Sequence, residues 1–364
     1  MREGKIIVRA GGTEASTSRG PKSMRLKILV VTAMYPHAGN QGSGAFVMQQ
    51  VEQLRAMEHE VDVLHFQGYR SKIEYLKAAF EVRKRTRGAK YDVVHAHYGV
   101  TGVAAVFRSH TPLVVTLHGS DALLGRIEPA ISRWVCRRAD ATIAVSGKIA
   151  ARIPGEIIPC GVDLNTFEPK DRARARKRLG LSGRKRYVLF PFSPARTVKR
   201  FDLASGAVNR LAADGLDVEL LTVSKVPNTE MPWYYSAADA MILCSDSEGS
   251  PTAVKEALAC NLPVISTDVG DVAEIVQGIA GVQICRQTSE ALAEGLKKVL
   301  APPAGFVFES RPAMRRYSQE RIIQAIVQVY RRAIEQRRRM LTTGGVCAVG
   351  AGTEAGSARP PRNG

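Results

Sequence analysis

ILCSDSEGSPTAVKEALACNLPVIS, residues 242–266, reads as a strand, a loop, a helix and a second strand. The opening apolar run ends at Ser245, and the loop carries Glu248 and Gly249. Ser250-Pro251 then supplies an N-cap residue followed by one suited to the first helical position. The helix is expected to run to about Cys260, and Pro263–Ser266 returns to strand. Such a unit sets a helix N-terminus directly after a buried strand. Pro251 has no N–H, but those of Thr252 and Ala253 are left without intrahelical partners. With the helix dipole they make an anion-binding end suited to phosphate. Glu248 precedes that end, and Glu256 lies one turn beyond Thr252 on the same face. Two carboxylates flanking an anion site can accept hydrogen bonds from sugar hydroxyls on either side of a pyrophosphate. The alternative is an exposed loop residue and a solvated helix residue.

The same alternation extends in both directions. Other expected strands are Lys27–Thr32, Val61–Phe66, Asp92–His95, Leu113–Leu117, Ala141–Val145, Arg186–Phe192, Asp217–Leu221, Ala240–Cys244 and Val282–Cys285. Their continuous apolar character suits strands buried on both faces. Between them the spacing turns helical, as at Val47, Val51 and Leu54. Strand–helix alternation of this length predicts an α/β protein with doubly wound parallel sheets. IPCGVDLNTFEP (158–169) and the basic run Asp171–Arg186 interrupt it, which sets a boundary near residue 165. The expected organisation is two Rossmann-like domains, 25–165 and 166–313, facing each other across a cleft. A helix over 314–340 is expected to pack back towards the first domain. Residues 1–24 and 341–364 read as disordered tails, and Met24, which opens MRLKILVV, fits an initiator.

Composition narrows the function classes. The 364 residues fit two domains, each large enough for its own core. No run approaches the roughly 18 apolar residues of a spanning helix, and residues 1–24 lack the apolar centre of a secretory signal. The six cysteines (136, 160, 244, 260, 285, 347) are scattered without paired spacing, which argues against a zinc site or a disulfide framework and suits a reducing cytoplasm. Against 34 acidic residues stand 52 basic ones, a net charge of +18 that attracts polyanions without selecting among them.

Glu248-Gly-Ser-Pro-Thr-Ala-Val-Lys-Glu256 resembles the Glu-x7-Glu motif of retaining glycosyltransferases of family 4, and YYSAADAMILCSDSEGSP and ALACNLPVISTDVGDVAEIV around it are similar to the same family. IPCGVDLNTF resembles its interdomain segment, with Cys160 in place of an Asn. The likeness covers about residues 26–335 and is nearest the branch of teichuronic acid and other surface-polysaccharide enzymes. It implies a GT-B fold and transfer of a sugar, with retention, from a nucleotide-sugar donor to a glycan or lipid-linked acceptor. By the same resemblance Glu248 meets the donor sugar hydroxyls and Glu256 the nucleotide ribose; Gly249, Ser250, Thr252 and Ala253 complete the expected donor-binding set. PFSPARTVKRFDLA (191–204) resembles the family's Arg…Lys element, so Arg196 and Lys199 are expected on the diphosphate. The spacing is shorter than the commoner one, which leaves Arg200 as the alternative to Lys199.

Three further segments belong to the expected cleft. YPHAGNQGSGAFV (35–47) follows the first strand, and Gly42 and Gly44 let backbone approach an anion. It is not a dinucleotide fingerprint, because Val47 stands three after Gly44 and strand two ends in Phe66-Gln67-Gly68 without a ribose-binding acid. In LVVTLHGSDALL (113–124) His118 ends a buried strand; the family resemblance implies contact with the donor sugar, and Asp121 is placed to orient His118 or the acceptor. His95 and His97 end another strand, with a direct role considered for His97 alone. No Asp-x-Asp occurs, so no metal and no cofactor are expected, and Arg196, Lys199 and the helix end take the metal's place. The segment 69–91 is a basic amphipathic helix with Ile73, Leu76 and Phe80 at helical spacing. It can lie on an anionic membrane surface, or be a solvated helix whose stripe packs on the first domain, and both can hold at once. The expected location is cytoplasmic, with the membrane's cytoplasmic face as a docking surface and no nucleic-acid partner. The alternatives are a sugar-nucleotide epimerase of the same fold and a basic binding protein without catalysis.

Overall fold

The computed structural model describes residues 25–36, 44–68 and 71–346. Met24, Gly42, Tyr69 and the segments 1–24 and 347–364 lie outside the described residues. Among the described residues eleven strands form two parallel sheets. The first contains β1 (Lys27–Thr32), β2 (Glu60–His65), β3 (Val93–His97), β4 (Leu113–Leu117), β5 (Ala141–Ala144) and β6 (Glu156–Ile157), in the order β2-β1-β3-β4-β5-β6. The second contains β7 (Arg186–Phe190), β8 (Val218–Thr222), β9 (Ala240–Leu243), β10 (Val264–Thr267) and β11 (Gln283–Cys285), in the order β11-β10-β9-β7-β8. The ten expected strands are all present within a residue or two, except that β7 stops at Phe190. The short edge strand β6 has two exposed residues and so no apolar signal to read.

Around the first sheet lie α1 (Ala45–Ala56), α2 (Lys72–Thr86), α3 (Gly99–Ala105), α4 (Ser120–Leu123), α5 (Ile127–Cys136) and α6 (Gly147–Ala150). The second carries α7 (Arg172–Leu179), α8 (Phe201–Ala213), α9 (Met231–Ala237), α10 (Thr252–Ala259), α11 (Val272–Val276), α12 (Ser289–Leu300) and α13 (Arg311–Met314). The last helix, α14 (Gln319–Val346), belongs to the first domain's core. Each sheet is buried on both faces, which is why its strands read as unbroken apolar runs. Along β1, Ile28 and Val30 join one cluster with α1 and α14, while Leu29 and Val31 join another with Val82 of α2 and Ala104 of α3. In β7, Tyr187 and Leu189 likewise face one core and Val188 and Phe190 the other.

The chain crosses between domains twice, side by side. Ile158 is in the first core and Val162 in the second, so the outward crossing is at residues 159–161, earlier than the expected boundary near 165. Tyr317 still packs in the second core and Ile322 in the first, so the returning helix starts at Gln319 rather than 314 and continues to Val346, past the expected end at 340. The crossings are bonded to one another: the Val162 N–H donates to the Tyr317 carbonyl (2.9 Å) and the Gln319 N–H to the Val162 carbonyl (2.9 Å). A Cβ on Gly161 would meet the Gln319 Cα at 3.0 Å, so a larger residue there would push the strands apart.

Two charged segments take their roles from the fold. Within the basic run 171–186 Arg176 is buried, and it converges with the exposed Arg172 and Arg186 on the buried Asp239 carboxylate at 2.6, 3.1 and 3.1 Å. On α2 the residues turned to the domain are Ala78, Val82 and Thr86. Ile73, Leu76 and Phe80 are 58%, 71% and 73% exposed, so the stripe does not pack on the first domain.

Candidate active site

In both sheets the strand order reverses beside the first strand, between β1 and β3 and between β7 and β9. Ligands in open α/β sheets bind beyond the carboxyl ends of strands at such points. Lys199 follows β7, Glu248 follows β9, His97 ends β3 and His118 follows β4, which brings these residues to one interdomain cleft.

Lys199 ends the short helical turn Thr197–Lys199 and is buried, its side chain 7% exposed. Its Nζ donates to Glu248 Oε1 and lies 4.1 Å from the centre of the Phe192 ring. Desolvation lowers the lysine's pKa, opposed by the Glu248 carboxylate. Glu248 also accepts from Ser245 Oγ at 2.7 Å. Arg200, the alternative to Lys199, takes a left-handed conformation (φ 53°) and turns to Asp202 and Asp246 at 2.8 and 3.1 Å, away from Glu248. Arg196 is exposed. It lies near enough to Tyr98 of the first domain and Lys199 of the second to lower the pKa of both, although burial sets the net upward shift at Tyr98.

The helix start differs by one residue from expectation. Pro251 is the N-cap of α10, with φ −68° and ψ 108°, and no side chain caps the first N–H groups. Ser250 does not cap because its hydroxyl is otherwise committed: it donates to Asp271 Oδ2 (2.7 Å) and accepts from Lys255 Nζ and from the Cys160 N–H (3.2 Å). Any donor contact at position 250 therefore falls to its backbone. Lys255 is wholly buried, within 3.7 Å of Asp271 Oδ2, and ties α10 to the start of α11. Cys160, where the resemblance places an Asn, has its thiol pKa pushed up to about 11 by burial. Glu256 is buried, not solvated, and accepts from the Tyr235 hydroxyl at 2.8 Å. Burial raises its pKa to about 7, against the lowering effect of bonds from Tyr235 and Thr252.

On the opposite wall the His118 imidazole sits beside Phe46 at the start of α1 and Tyr98 after β3, each with ring centres 4.7 Å away. Asp121 does not face an acceptor. It is buried, with Oδ1 accepting from the His118 and Gly119 N–H groups (3.0 and 2.9 Å) and Oδ2 from the Gly99 N–H (2.8 Å). It fixes the turn that presents His118. Burial raises its pKa, opposed by those three N–H groups. At that turn the domains touch backbone to backbone: a Cβ on Gly249 would lie 1.9 Å from the His118 carbonyl oxygen, and a Cβ on Gly119, at φ 127°, would lie 3.0 Å from the Gly249 nitrogen. Gly44 also has a positive φ (66°), and a Cβ there would meet the Met34 carbonyl at 2.2 Å. Its role in the described residues is to bring the start of α1 against the end of β1.

His97 is fully buried and reaches the cleft only through His118, with His97 Nδ1 and His118 Nε2 3.0 Å apart. Behind it lie Gln50 of α1, His95 of β3, Thr116 of β4 and Tyr330 of α14. Sequence reasoning missed Phe46, Gln50, Tyr98, Tyr235, Ser245, Lys255, Asp271 and Tyr330 as parts of this site. Gln50 alone carried a signal, being a polar residue one position before the buried Val51 on the inward side of α1. Among the described residues no group of three or more His, Cys, Asp or Glu side chains is placed to hold a metal ion, and the five described cysteines are free.

Comparison with known proteins gives two family matches. Residues 40–166 match the model of Glycosyltransferase Family 4, and residues 199–321 that of Glycosyl transferases group 1; together they span more than half of the chain. The chain is 28% identical to the Bacillus subtilis (strain 168) glycosyltransferase TuaC, named for teichuronic acid biosynthesis, over 75% of this chain and 89% of that one. Among solved structures, a sucrose-phosphate synthase from Thermosynechococcus elongatus superposes with a TM-score of 0.72 at 18% identity, over 86% of this chain and all of that one. Anabaena HepE in complex with UDP-glucose gives a TM-score of 0.63 at 18% identity, over 84% and 99%. The paired parallel-sheet domains and these neighbours fit the GT-B fold.

Proposed function

Since the chain belongs to glycosyltransferase family 4 and is a glycosyltransferase, we propose that it moves a sugar from a nucleotide-sugar donor to a hydroxyl of a glycan or lipid-linked acceptor, with retention at the anomeric carbon. The observation that carries this reading is the Lys199–Glu248 pair set opposite His118 across the Gly119–Gly249 contact. The pair joins the cation that would hold the leaving diphosphate to the carboxylate that would hold the sugar. The UDP-glucose held by HepE supports a nucleotide sugar as the donor class, and the name of TuaC supports surface-polysaccharide synthesis.

In the proposed reaction the bond from the anomeric carbon to phosphate breaks and a bond to the acceptor oxygen forms on the same face. The acceptor's proton passes to the leaving phosphate oxygen, and no carboxylate is assigned as a nucleophile. Charge on the diphosphate is met by Arg196, Lys199 and the N–H groups of Thr252 and Ala253, preorganised donors of the kind that stabilise developing charge best. We assign this role to protein groups rather than to a metal ion. Glu256 would receive the ribose once the Tyr235 bond is exchanged for it. No observation favours an epimerase or a binding protein without catalysis. No helix among the described residues is long and apolar enough to cross a membrane. The solvent-facing Ile73, Leu76 and Phe80, flanked by Lys72, Lys77 and Arg83, support peripheral docking on the anionic cytoplasmic face.

A panel of nucleotide sugars, each screened for protection against thermal unfolding with and without EDTA, tests the donor side. A ligand at 100 times its Kd adds about 2.7 kcal/mol. One sugar nucleotide should protect, in EDTA as well, and should then be turned over with acceptor extracts. If none protects, the donor assignment fails. If protection needs a divalent ion, the metal-free account fails.

A further inference from the structure

A chain of buried polar groups runs from the cleft into the first domain and ends on the last helix. Gln50 Nε2 lies 3.4 Å from His97 Nε2 and 3.2 Å from His95 Nδ1. The Tyr330 hydroxyl is 2.6 Å from the same His95 Nδ1, and His95 Nε2 is 2.7 Å from Thr116 Oγ1. His97 Nδ1 closes the series on His118 Nε2 at 3.0 Å. The rings follow one another, tilted with centres 4.3 Å apart for His95 and His97 and stacked with centres 5.2 Å apart for His97 and His118. Gln50, His95, His97 and Tyr330 are buried, and a domain core contains such groups only when they satisfy one another.

The donors and acceptors fix a direction. An amide nitrogen only donates, so His97 Nε2 and His95 Nδ1 are acceptors. Burial keeps all three rings neutral, lowering the pKa of His97 to about 3 and those of His95 and His118 well below the ordinary value. A neutral imidazole has one proton, so that of His95 is on Nε2 and is donated to Thr116, while that of His97 is on Nδ1 and is donated to His118 Nε2. The proton of His118 is then on Nδ1, which has no partner among the described residues. The hydrogen bond at one ring nitrogen thus decides what the other presents.

We propose that Gln50 and Tyr330 are positioning residues that lock His118, through His95 and His97, in the Nδ1–H tautomer, so that it offers the cleft a hydrogen-bond donor and not a base. On the donor-site reading above, that donor meets an oxygen of the transferring sugar. The seating of α14, which brings Tyr330 from far along the chain, thereby reaches the reacting group without touching it.

The test is two-bond 1H–15N correlation of the histidine rings in the full-length protein without substrate, His95, His97 and His118 being assigned by single His→Gln variants. His97 and His118 should show the Nδ1–H pattern, His95 the Nε2–H pattern, and none should take up a second proton where an ordinary histidine does. Gln50→Met removes the amide donor at similar volume and should convert His118 to a mixture of tautomers. With donor and acceptor, kcat should fall by about 10-fold, the loss of one transition-state contact, at nearly unchanged donor KM. Tyr330→Phe leaves Gln50 in place and should shift His95 most, and His118 in the same direction as Gln50→Met but by less. A role confined to core stability would lower Tm in these variants and leave the ring patterns as in the wild type. An Nε2–H or charged His118 in the wild type overturns the proposal even if neither variant folds, as does an unchanged His118 in Gln50→Met. The spectra require no sugar transfer, so a failed donor screen would sink the functional reading and leave the tautomer lock standing.

Discussion

Replacing Lys199 and Glu248 singly and together measures whether their contact is a working element of the cleft. The two side chains are 7% and 14% exposed, so both charges are largely desolvated. Lys199→Met keeps the apolar stem over Phe192 but removes the charge. It deletes a charge-assisted hydrogen bond worth about 1.5–3 kcal/mol and a cation–π contact of about 0.5–1 kcal/mol. Glu248 retains the Ser245 hydroxyl and some solvent, which keeps the loss below the roughly 3–5 kcal/mol of a fully buried orphan charge. The expected destabilisation is about 2–3 kcal/mol by urea unfolding. Glu248→Gln preserves shape and one acceptor and should cost about 1–2 kcal/mol, leaving Lys199 partly unpaired. The double variant contains no orphan charge, so its loss should fall short of the sum by about 1.5 kcal/mol. The same cycle read in turnover should be more strongly non-additive. Glu248→Gln alone is expected to lower kcat by about 10²-fold, and adding Lys199→Met should lower it much less than it does in the wild type. A coupling below about 0.5 kcal/mol in stability, together with additive effects on kcat, would refute the argument that the two residues act as one unit.

Glu256 gives a pH signature. Its pKa rises from the ordinary carboxyl value near 4.5 to about 7, so the folded state holds the proton more tightly. Stability from this group is complete below about pH 4.5 and is lost as pH rises through 7, by up to about 3 kcal/mol. Glu256→Gln should match the wild type at pH 5 and exceed it at pH 8 in urea unfolding; parallel curves would contradict this. Gly249→Ala places a methyl 1.9 Å from the His118 carbonyl, so the domains must separate there. Small-angle scattering should show a more open protein and kcat should fall about 10²-fold, whereas an unchanged profile would mean that the contact is not needed. Changing Ile73, Leu76 and Phe80 to Ser should release the protein from anionic liposomes in co-sedimentation without loss of fold, because these side chains are already exposed. Persistent binding would place the docking surface elsewhere.

The local text was enough for the strands, the parallel α/β class and the phosphate-ready helix after β9, because those depend on apolar periodicity, on residues without N–H and on helix ends. Glu248, Lys199 and His118 were legible for a related reason: each follows a buried strand, and strand ends in such sheets point at the ligand. What the other residues do was not legible. Asp121 reads from sequence as orienting either His118 or the acceptor, and the three backbone N–H groups from two segments that occupy it put it on the His118 turn. Ser250 looks like a cap, yet Lys255, Asp271 and Cys160 use up its hydroxyl. Ile73, Leu76 and Phe80 have the spacing of a packed stripe, and only the placement of α2 turns them outward. Tyr330 and His95 are separated by the whole second domain and meet because α14 returns across the cleft. Periodicity and caps are interactions among neighbours in the chain, so sequence determines them; pairing, burial and the direction of a hydrogen bond depend on which distant segments arrive beside a residue, and that is settled only when the domains close around their cores.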